Sequence, residues 1–315
     1  MKKILIGIGG LLVLAVLGVV FKFFVLSPVA RAAPDVHAPT SAEAIARGKY
    51  LANSVTGCTS CHSPPDPNAP GGAFIEEQIG AGREFADEGF PGTPRARNLT
   101  PDKETGIGAY TDGELLRSMR EGIGRDGHAL FPLMPYLNYA ALTDEDALSI
   151  IAYLRTLKPI RNDTGRSQID FPVSMIIRTV PKPVETPAAP EPTEPVARGQ
   201  WLIKMGSCAD CHDVFDNHRQ PIEGKHFGGG AEFKFPKGTV YAANISSDKE
   251  TGIGAYTDEE LLRVLNEGIA KDGRPLWVMP SAAFKGLTED DKKAMIAALR
   301  TVPPVKNQVP RSQMR

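Results

Sequence analysis

The sequence predicts an all-α protein: two tandem helical units of one kind, set behind an apolar N-terminal helix that crosses a membrane. Three observations carry that reading. Residues 102–112 recur unchanged as residues 248–258, 146 positions later. Helix start and stop signals flank both copies at matching places. The apolar run 4–20 is of the length expected for a spanning helix, which needs about 20 residues give or take a few.

The N-terminal run follows Met1-Lys2-Lys3 and leads into Phe21-Lys22-Phe23-Phe24-Val25-Leu26. A cleavable signal has an apolar centre of about 7–15 residues, shorter than this one. The leading lysines would hold the N-terminus in the cytoplasm under the positive-inside rule, and Lys22 could snorkel to the far interface. Ala30-Arg31-Ala32 carries the small-x-small pattern of a cleavage site. Segment 1–32 therefore reads as an anchor or a signal segment. Either way the remainder is exported, to the periplasmic face of a bacterial inner membrane.

The repeat sets the units at residues 40–160 and 194–304. Ala46-Arg47-Gly48 returns as Ala197-Arg198-Gly199, and Leu154-Arg155-Thr156 as Leu299-Arg300-Thr301. Each unit is expected to hold three main helices. The first pair covers residues 41–55 and 194–205, the second 111–121 and 257–267, the third 143–157 and 288–301. Ser41, the Thr-Asp pairs and the acidic turn after Thr143 are start signals. Leu115, Leu116 and Met119 share one helical face, as do Leu261, Leu262 and Leu265. Pro159 and Pro303 close the third helices. Between the units, residues 161–193 form a proline-rich linker. Its later part, 180–195, should be stiff and extended, while 171–177 is apolar enough to pack on a domain surface.

A formal charge of −1, with 36 basic and 37 acidic residues, argues against nucleic acid as partner. Lys2, Lys3, Lys22 and Arg31 all lie in the N-terminal segment, so the remainder is more acidic than the total suggests. An acidic surface can steer a basic protein partner.

All four cysteines fall in two motifs, Cys58-Thr59-Ser60-Cys61-His62 and Cys208-Ala209-Asp210-Cys211-His212. C-x-x-C-H is the attachment pattern of c-type haem. Two thiols add to the haem vinyl groups, and the adjoining histidine reaches the iron. The chain is thus expected to bind two haems covalently, with His62 and His212 as proximal ligands. A single zinc site shared by both motifs would have to join two copies of one unit. For the opposite iron face, Met134 and Met279 keep the repeat offset, each followed by proline. Met119, Met175, Met205 and Met295 lack methionine counterparts and read as core. His128 faces Arg274 in the repeat, while His218 and His226 occur in one unit only, so these three read as loop histidines. The glycines around residues 80–82 and 228–230 lack the Lys-Ser/Thr ending of a P-loop and read as close backbone approaches to the macrocycle. Phe85, Phe233 and Phe235 are candidates to pack on it. Asn98, Asn244, Tyr110 and Tyr256 are candidates to fix the surrounding loops.

Asn98-Leu99-Thr100-Pro101-Asp102, Thr105-Gly106-Ile107-Gly108, Tyr110-Thr111 and Met134-Pro135-Tyr136 resemble the haem domains of the cytochrome c subunits of bacterial membrane-bound alcohol and gluconate dehydrogenases. The resemblance implies cytochrome c-like helical domains, histidine–methionine ligation at the matched residues, and electron delivery from a periplasmic dehydrogenase into a respiratory chain. A membrane oxidase or quinone enzyme would be the acceptor. Those subunits commonly carry three haems and a C-terminal anchor, whereas this chain has two motifs and its apolar segment at the other end. The reading is an electron carrier rather than an enzyme. The alternative is a dihaem redox enzyme of peroxidase or thiosulfate-oxidising type, against which stands the absence of any further cysteine to act as thiolate ligand.

Overall fold

The computed structural model describes residues 2–67, 69, 71, 73–86, 88–217, 220–235 and 238–314. Helix α1, Lys2–Phe24, forms as a regular helix. The expectation that it spans a membrane is corrected: among the described residues no helix is long and apolar enough to cross one. Lys3 and Lys22 bound its uncharged stretch, which includes four glycines. At about 1.5 Å per residue that stretch rises about 27 Å, at the lower limit for a hydrocarbon core of about 30 Å. The far end of α1 is tied to the body instead, where Arg178 donates to the Phe23 carbonyl and the Ser27 carbonyl at 2.7 Å each.

Unit one opens with α2, Ala42–Tyr50, capped by Ser41, whose hydroxyl accepts from the Ala44 N–H. The helix runs on as a π turn, Leu51–Val55, directly before the attachment motif in α3, Cys58–Cys61. Three two-residue strands follow: β1, Arg83–Glu84; β2, Gly92–Thr93; and β3, Arg95–Ala96. Helix α4, Asp112–Glu121, has a complete capping box between Thr111 and Glu114 and ends on Gly122 in the left-handed region. The short α5, Tyr136–Tyr139, follows the candidate ligand Met134, and α6, Asp144–Arg155, is capped by Thr143. Strand β4, Gln168–Ile169, and the short α7, Val173–Ile176, lie between the units.

Unit two repeats the plan. Helix α8, Pro195–Met205, leads to α9, Cys208–His212, which carries the second motif. A hairpin of β5, Glu232–Phe235, and β6, Gly238–Tyr241, follows. Then come α10, Asp258–Glu267, with the same capping box; α11, Ser281–Phe284; and α12, Glu289–Arg300. Strand β7, Gln313–Met314, closes the described chain. The all-α expectation is thus corrected by seven short strands among the described residues. They are antiparallel pairings imposed by tertiary contact: β1 with β3, β2 with β4, and β7 on β6. Strands of two residues bury too little to announce themselves as an alternating pattern.

The first and third helices of each unit cross in contact, and glycine makes the crossing possible. A Cβ on Gly48 would lie 1.8 Å from the Ser149 carbonyl oxygen of α6, and one on Gly199 1.9 Å from the Ala294 carbonyl oxygen of α12. Around these crossings Leu51, Ile150, Leu202 and Met295 are buried with the α4 and α10 leucines in one continuous core.

The two units meet reciprocally. Helix α5 of unit one lies against α8 of unit two, while α11 of unit two lies against the π turn of unit one. Asn138 donates to the Ser207 hydroxyl at 3.0 Å across this contact. A charged row joins the same surfaces. Arg47 pairs with Asp146 at 2.9 Å, Arg198 pairs with Asp291 at 2.8 Å, and Glu191 from the connecting segment pairs with both arginines. The Tyr50 hydroxyl of unit one donates to Asp291 of unit two.

Replacing Gly48 or Gly199 by alanine forces backbone apart, since the obstructing atom is a carbonyl oxygen in each case. Either substitution should destabilise by about 1–3 kcal/mol, seen as a lowered melting midpoint by circular dichroism. Burial opposes ionisation of Asp291, but hydrogen bonds from Arg198 and Tyr50 and the charge of Arg47 outweigh it and hold the pKa below the ordinary value. A depressed carboxylate contributes stability above its unfolded pKa of about 3.9 and loses it as pH falls through the folded value. Asp291→Asn should therefore lower the melting temperature at pH 7, and the difference should shrink as the pH falls through the acid range.

Candidate haem sites

Each attachment motif sits on a turn of helix presented by the preceding long helix. In unit one the chain leaves the π turn through Gly57, in the left-handed region, and enters α3. In unit two Ser207 occupies the corresponding left-handed position before α9. None of the four cysteines is bridged to another. The Thr56 hydroxyl lies 3.1 Å from Cys58 Sγ, and Tyr139 holds the Thr56 carbonyl through a 2.7 Å hydrogen bond. Desolvation pushes the Cys58 thiol up to about 11 and the Cys208 thiol up to about 12, with the charges of Cys211 and Asp210 adding to the latter. The resting thiols are therefore protonated at neutral pH.

The two histidines are held alike. His62 Nδ1 lies 2.7 Å from the Arg97 carbonyl oxygen, and His212 Nδ1 lies 2.7 Å from the Ala243 carbonyl oxygen. A carbonyl can only accept, so Nδ1 carries the proton and Nε2 keeps its lone pair. Desolvation lowers the pKa of both imidazoles and favours the neutral form that can bind a metal. The carbonyls are themselves fixed by neighbouring asparagines. Asn98 Oδ1 accepts from the Thr100 N–H at 2.9 Å and hydroxyl at 2.7 Å, while its amide donates to the Ile160 carbonyl at 2.7 Å. Asn244 repeats each bond with Ser246 and Val305.

The glycines near each histidine allow close backbone approach. The Gly82 N–H donates to the His62 carbonyl and the Gly229 N–H to the His212 carbonyl, both at 2.7 Å. A Cβ on Gly82 would stand 2.9 Å from the Asn98 nitrogen, and one on Gly229 2.5 Å from the Asn244 nitrogen. Each tail then returns across its unit: Asn162 donates to the Ala81 carbonyl and Asn307 to the Gly228 carbonyl, both at 2.9 Å. These tail contacts were not anticipated, although Pro159-Ile160-Arg161-Asn162 and Pro304-Val305-Lys306-Asn307 are a visible repeat.

Met134 and Met279 occupy matching turns immediately before α5 and α11, half-buried against the core. Met119, Met205 and Met295 are core residues, buried to 6% exposure or less. The competing histidines have other partners. His128 pairs with Asp126, which also receives Arg166. His226 pairs with Asp213 at 2.6 Å and stacks on Phe227. His218 lies outside the described residues. Phe85 is buried in an edge contact with Phe90, and Phe233 lies in β5. Tyr110 and Tyr256 carry cations over their rings, Arg125 at 5.2 Å and Lys271 at 5.1 Å, rather than making a hydroxyl contact near the motif. Among the described residues no group of three or more His, Cys, Asp or Glu side chains is arranged to hold a metal ion.

The donor set fits c-type haem twice over: paired thiols, a neutral histidine with a free Nε2, and a methionine on a matched turn. Comparison with known proteins agrees with this chemistry. The cytochrome c family model matches residues 45–158. The chain is 31% identical over 287 residues to the fructose dehydrogenase cytochrome subunit of Gluconobacter japonicus, covering 87% of this chain and 56% of that protein. It is 31% identical over 266 residues to the gluconate 2-dehydrogenase cytochrome c subunit of Pantoea cypripedii, covering 78% and 54%. A diheme cytochrome c-type protein of Cereibacter sphaeroides is 26% identical over 264 residues, covering 79% of this chain and 83% of that protein. The chain spans little more than half the length of the dehydrogenase subunits it matches.

In the folded chain made without haem, the Cys58 and Cys208 thiols should alkylate more than about a hundredfold more slowly at pH 8 than in the denatured chain. The thiolate, not the thiol, reacts, and an unfolded cysteine titrates near 8.5. The rate should climb only as pH nears 11, as iodoacetamide labelling followed by mass spectrometry would show.

Proposed function

Residues 45–158 belong to the cytochrome c family, and from that premise we propose that the whole chain is a dihaem c-type cytochrome that carries electrons for a dehydrogenase. The observation that carries the reading is the duplicated site, in which two C-x-x-C-H motifs each have the histidine Nδ1 fixed by a backbone carbonyl at 2.7 Å. Cys58 and Cys61 would hold one haem and Cys208 and Cys211 the other. His62 and Met134, and His212 and Met279, would be the iron ligands. The haem supplies a one-electron couple, and methionine as sixth ligand raises its potential.

The chain's own residues do the positioning. The carbonyls of Arg97 and Ala243 orient the imidazoles and fix the proton on Nδ1, while burial keeps the rings neutral. Gly82 and Gly229 let backbone approach the site where a side chain would obstruct it. With His62 and Met134, and His212 and Met279, as ligands, neither iron would keep an open position for a substrate, which favours a carrier over an enzyme. The donor would be a dehydrogenase, as the names of the similar subunits suggest, acting in the periplasm, and the acceptor an oxidase or quinone-linked enzyme of a respiratory chain. The compartment would be the periplasmic side of a bacterial inner membrane, where c-type haem is attached.

The test is a haem count and a visible and near-infrared spectrum of the purified protein, oxidised and reduced. Two low-spin haems per chain with a methionine–iron band are expected; one haem, or ready binding of carbon monoxide or peroxide, would overturn the reading. Met134→Ala and Met279→Ala should each lower one midpoint potential while both haems stay covalently attached. Loss of covalent haem in either variant, seen on denaturing gels stained for haem, would contradict the ligand assignment.

A further inference from the structure

The strands that follow the two glycine turns share a Glu-Phe pair in the same register and differ in the residue before it. Glu84 accepts from Arg95 across β1 and β3, as Glu232 accepts from Tyr241 across β5 and β6. Phe85 and Phe233 follow them. By that register, Arg83 of unit one stands where unit two has Ala231, beside the extra residue Gly230. At this register position, among the described residues, unit two carries a methyl group and not a guanidinium.

Arg83 is placed as a working group rather than a surface charge. Its side chain is 15% exposed. The guanidinium lies over the Phe85 ring at 3.9 Å and pairs with Glu88 through one terminal nitrogen. Arg83 directly follows Gly82, whose N–H donates to the His62 carbonyl at 2.7 Å, so it stands beside the attachment motif. Its Nε is buried and has no hydrogen-bond acceptor. An unsatisfied buried N–H costs about 1–3 kcal/mol, so the position calls for an acceptor that the chain does not supply. A haem attached at Cys61 brings two carboxylates to this neighbourhood, and a carboxylate is the strongest partner for an arginine fork.

We propose that Arg83 is the charge that makes the two sites unequal: its Nε–H donates to a carboxylate of the unit-one haem, and that haem is the more easily reduced of the two. The proposal rests on the dihaem reading above. The physical reason is electrostatic. Reduction removes one positive charge from the iron, so a buried guanidinium nearby favours the reduced form, and partial burial limits screening by water. Glu88 offsets part of this charge, so its removal should strengthen the effect.

The experiment is a spectroelectrochemical titration of the full haem-loaded chain, with haem per chain measured on each sample. Two one-electron steps are expected, the upper one identified with unit one because Met134→Ala moves it. Arg83→Ala should move the upper step down by about tenfold in its equilibrium constant, which for one electron is about 59 mV, and leave the lower step in place. Arg83→Lys, which keeps the charge but not the fork, should move it less. Glu88→Gln should raise the upper step, and Ala231→Arg the lower one. With two haems bound, an upper step unmoved by Arg83→Ala, a shift in the lower step instead, or a single unresolved step would overturn the proposal. Fewer than two haems per chain would instead overturn the dihaem reading, and the proposal with it.

Discussion

The close crossing of the first and third helices in each unit is the constraint from which the rest follows. Gly48 meets the backbone of α6 and Gly199 the backbone of α12, so neither position accepts even a methyl group. Close contact of two backbones leaves little freedom in the angle or register of the pair. The attachment motif begins only a few residues after each crossing helix, and its place is inherited from that contact. The methionine turn is anchored in the same way from the other side, because α5 and α11 lead directly into α6 and α12. A site built on crossed helices holds its groups more rigidly than one hung on free loops.

Around that frame the loops are held by a second, polar layer. Asn98 and Asn244 bond the loop that supplies the histidine-binding carbonyl to the returning tail, and Asn162 and Asn307 bond the tail to the glycine turn. These are bonds to backbone, so they fix the chain's path rather than merely the position of a side chain. The imidazole tautomer thus depends on residues well over sixty positions away from the histidine in sequence, through two layers of hydrogen bonds.

Much of this was legible in the sequence. Ser41, Thr111, Thr143, Thr257 and Thr288 announce helix starts because a hydroxyl at that place satisfies an otherwise orphaned N–H, and each does so here. The eleven-residue repeat made two sites out of one and paired Met134 with Met279. The short strands were not legible, because pairing of two residues is set by what lies beside them. The tails were passed over because Pro159 and Pro303 were read only as helix stops. The N-terminal helix was read by its apolarity, whereas Lys3, Lys22 and the glycines limit its apolar length. Arg83 could not be picked out at all, since nothing in a sequence says which arginines will bury an Nε without a partner, as Arg83, Arg117 and Arg120 do, or which of them stands beside the attachment motif. The contact between the units was equally silent, being made of ordinary helix residues such as Asn138 and Ser207.

That contact has the symmetry of a dimer. Helix α5 on α8, answered by α11 on the turn after α2, is the arrangement that two identical subunits make about a twofold axis. A gene that joined two copies of such a dimer end to end would leave this chain, with the proline-rich segment as the seam. Two separate products of one gene share every substitution, whereas two halves of one chain do not. The link also holds the halves at a high effective concentration whatever the dilution. Each half can then differ from its twin without losing it, and a pseudo-symmetric pair has two distinguishable ends.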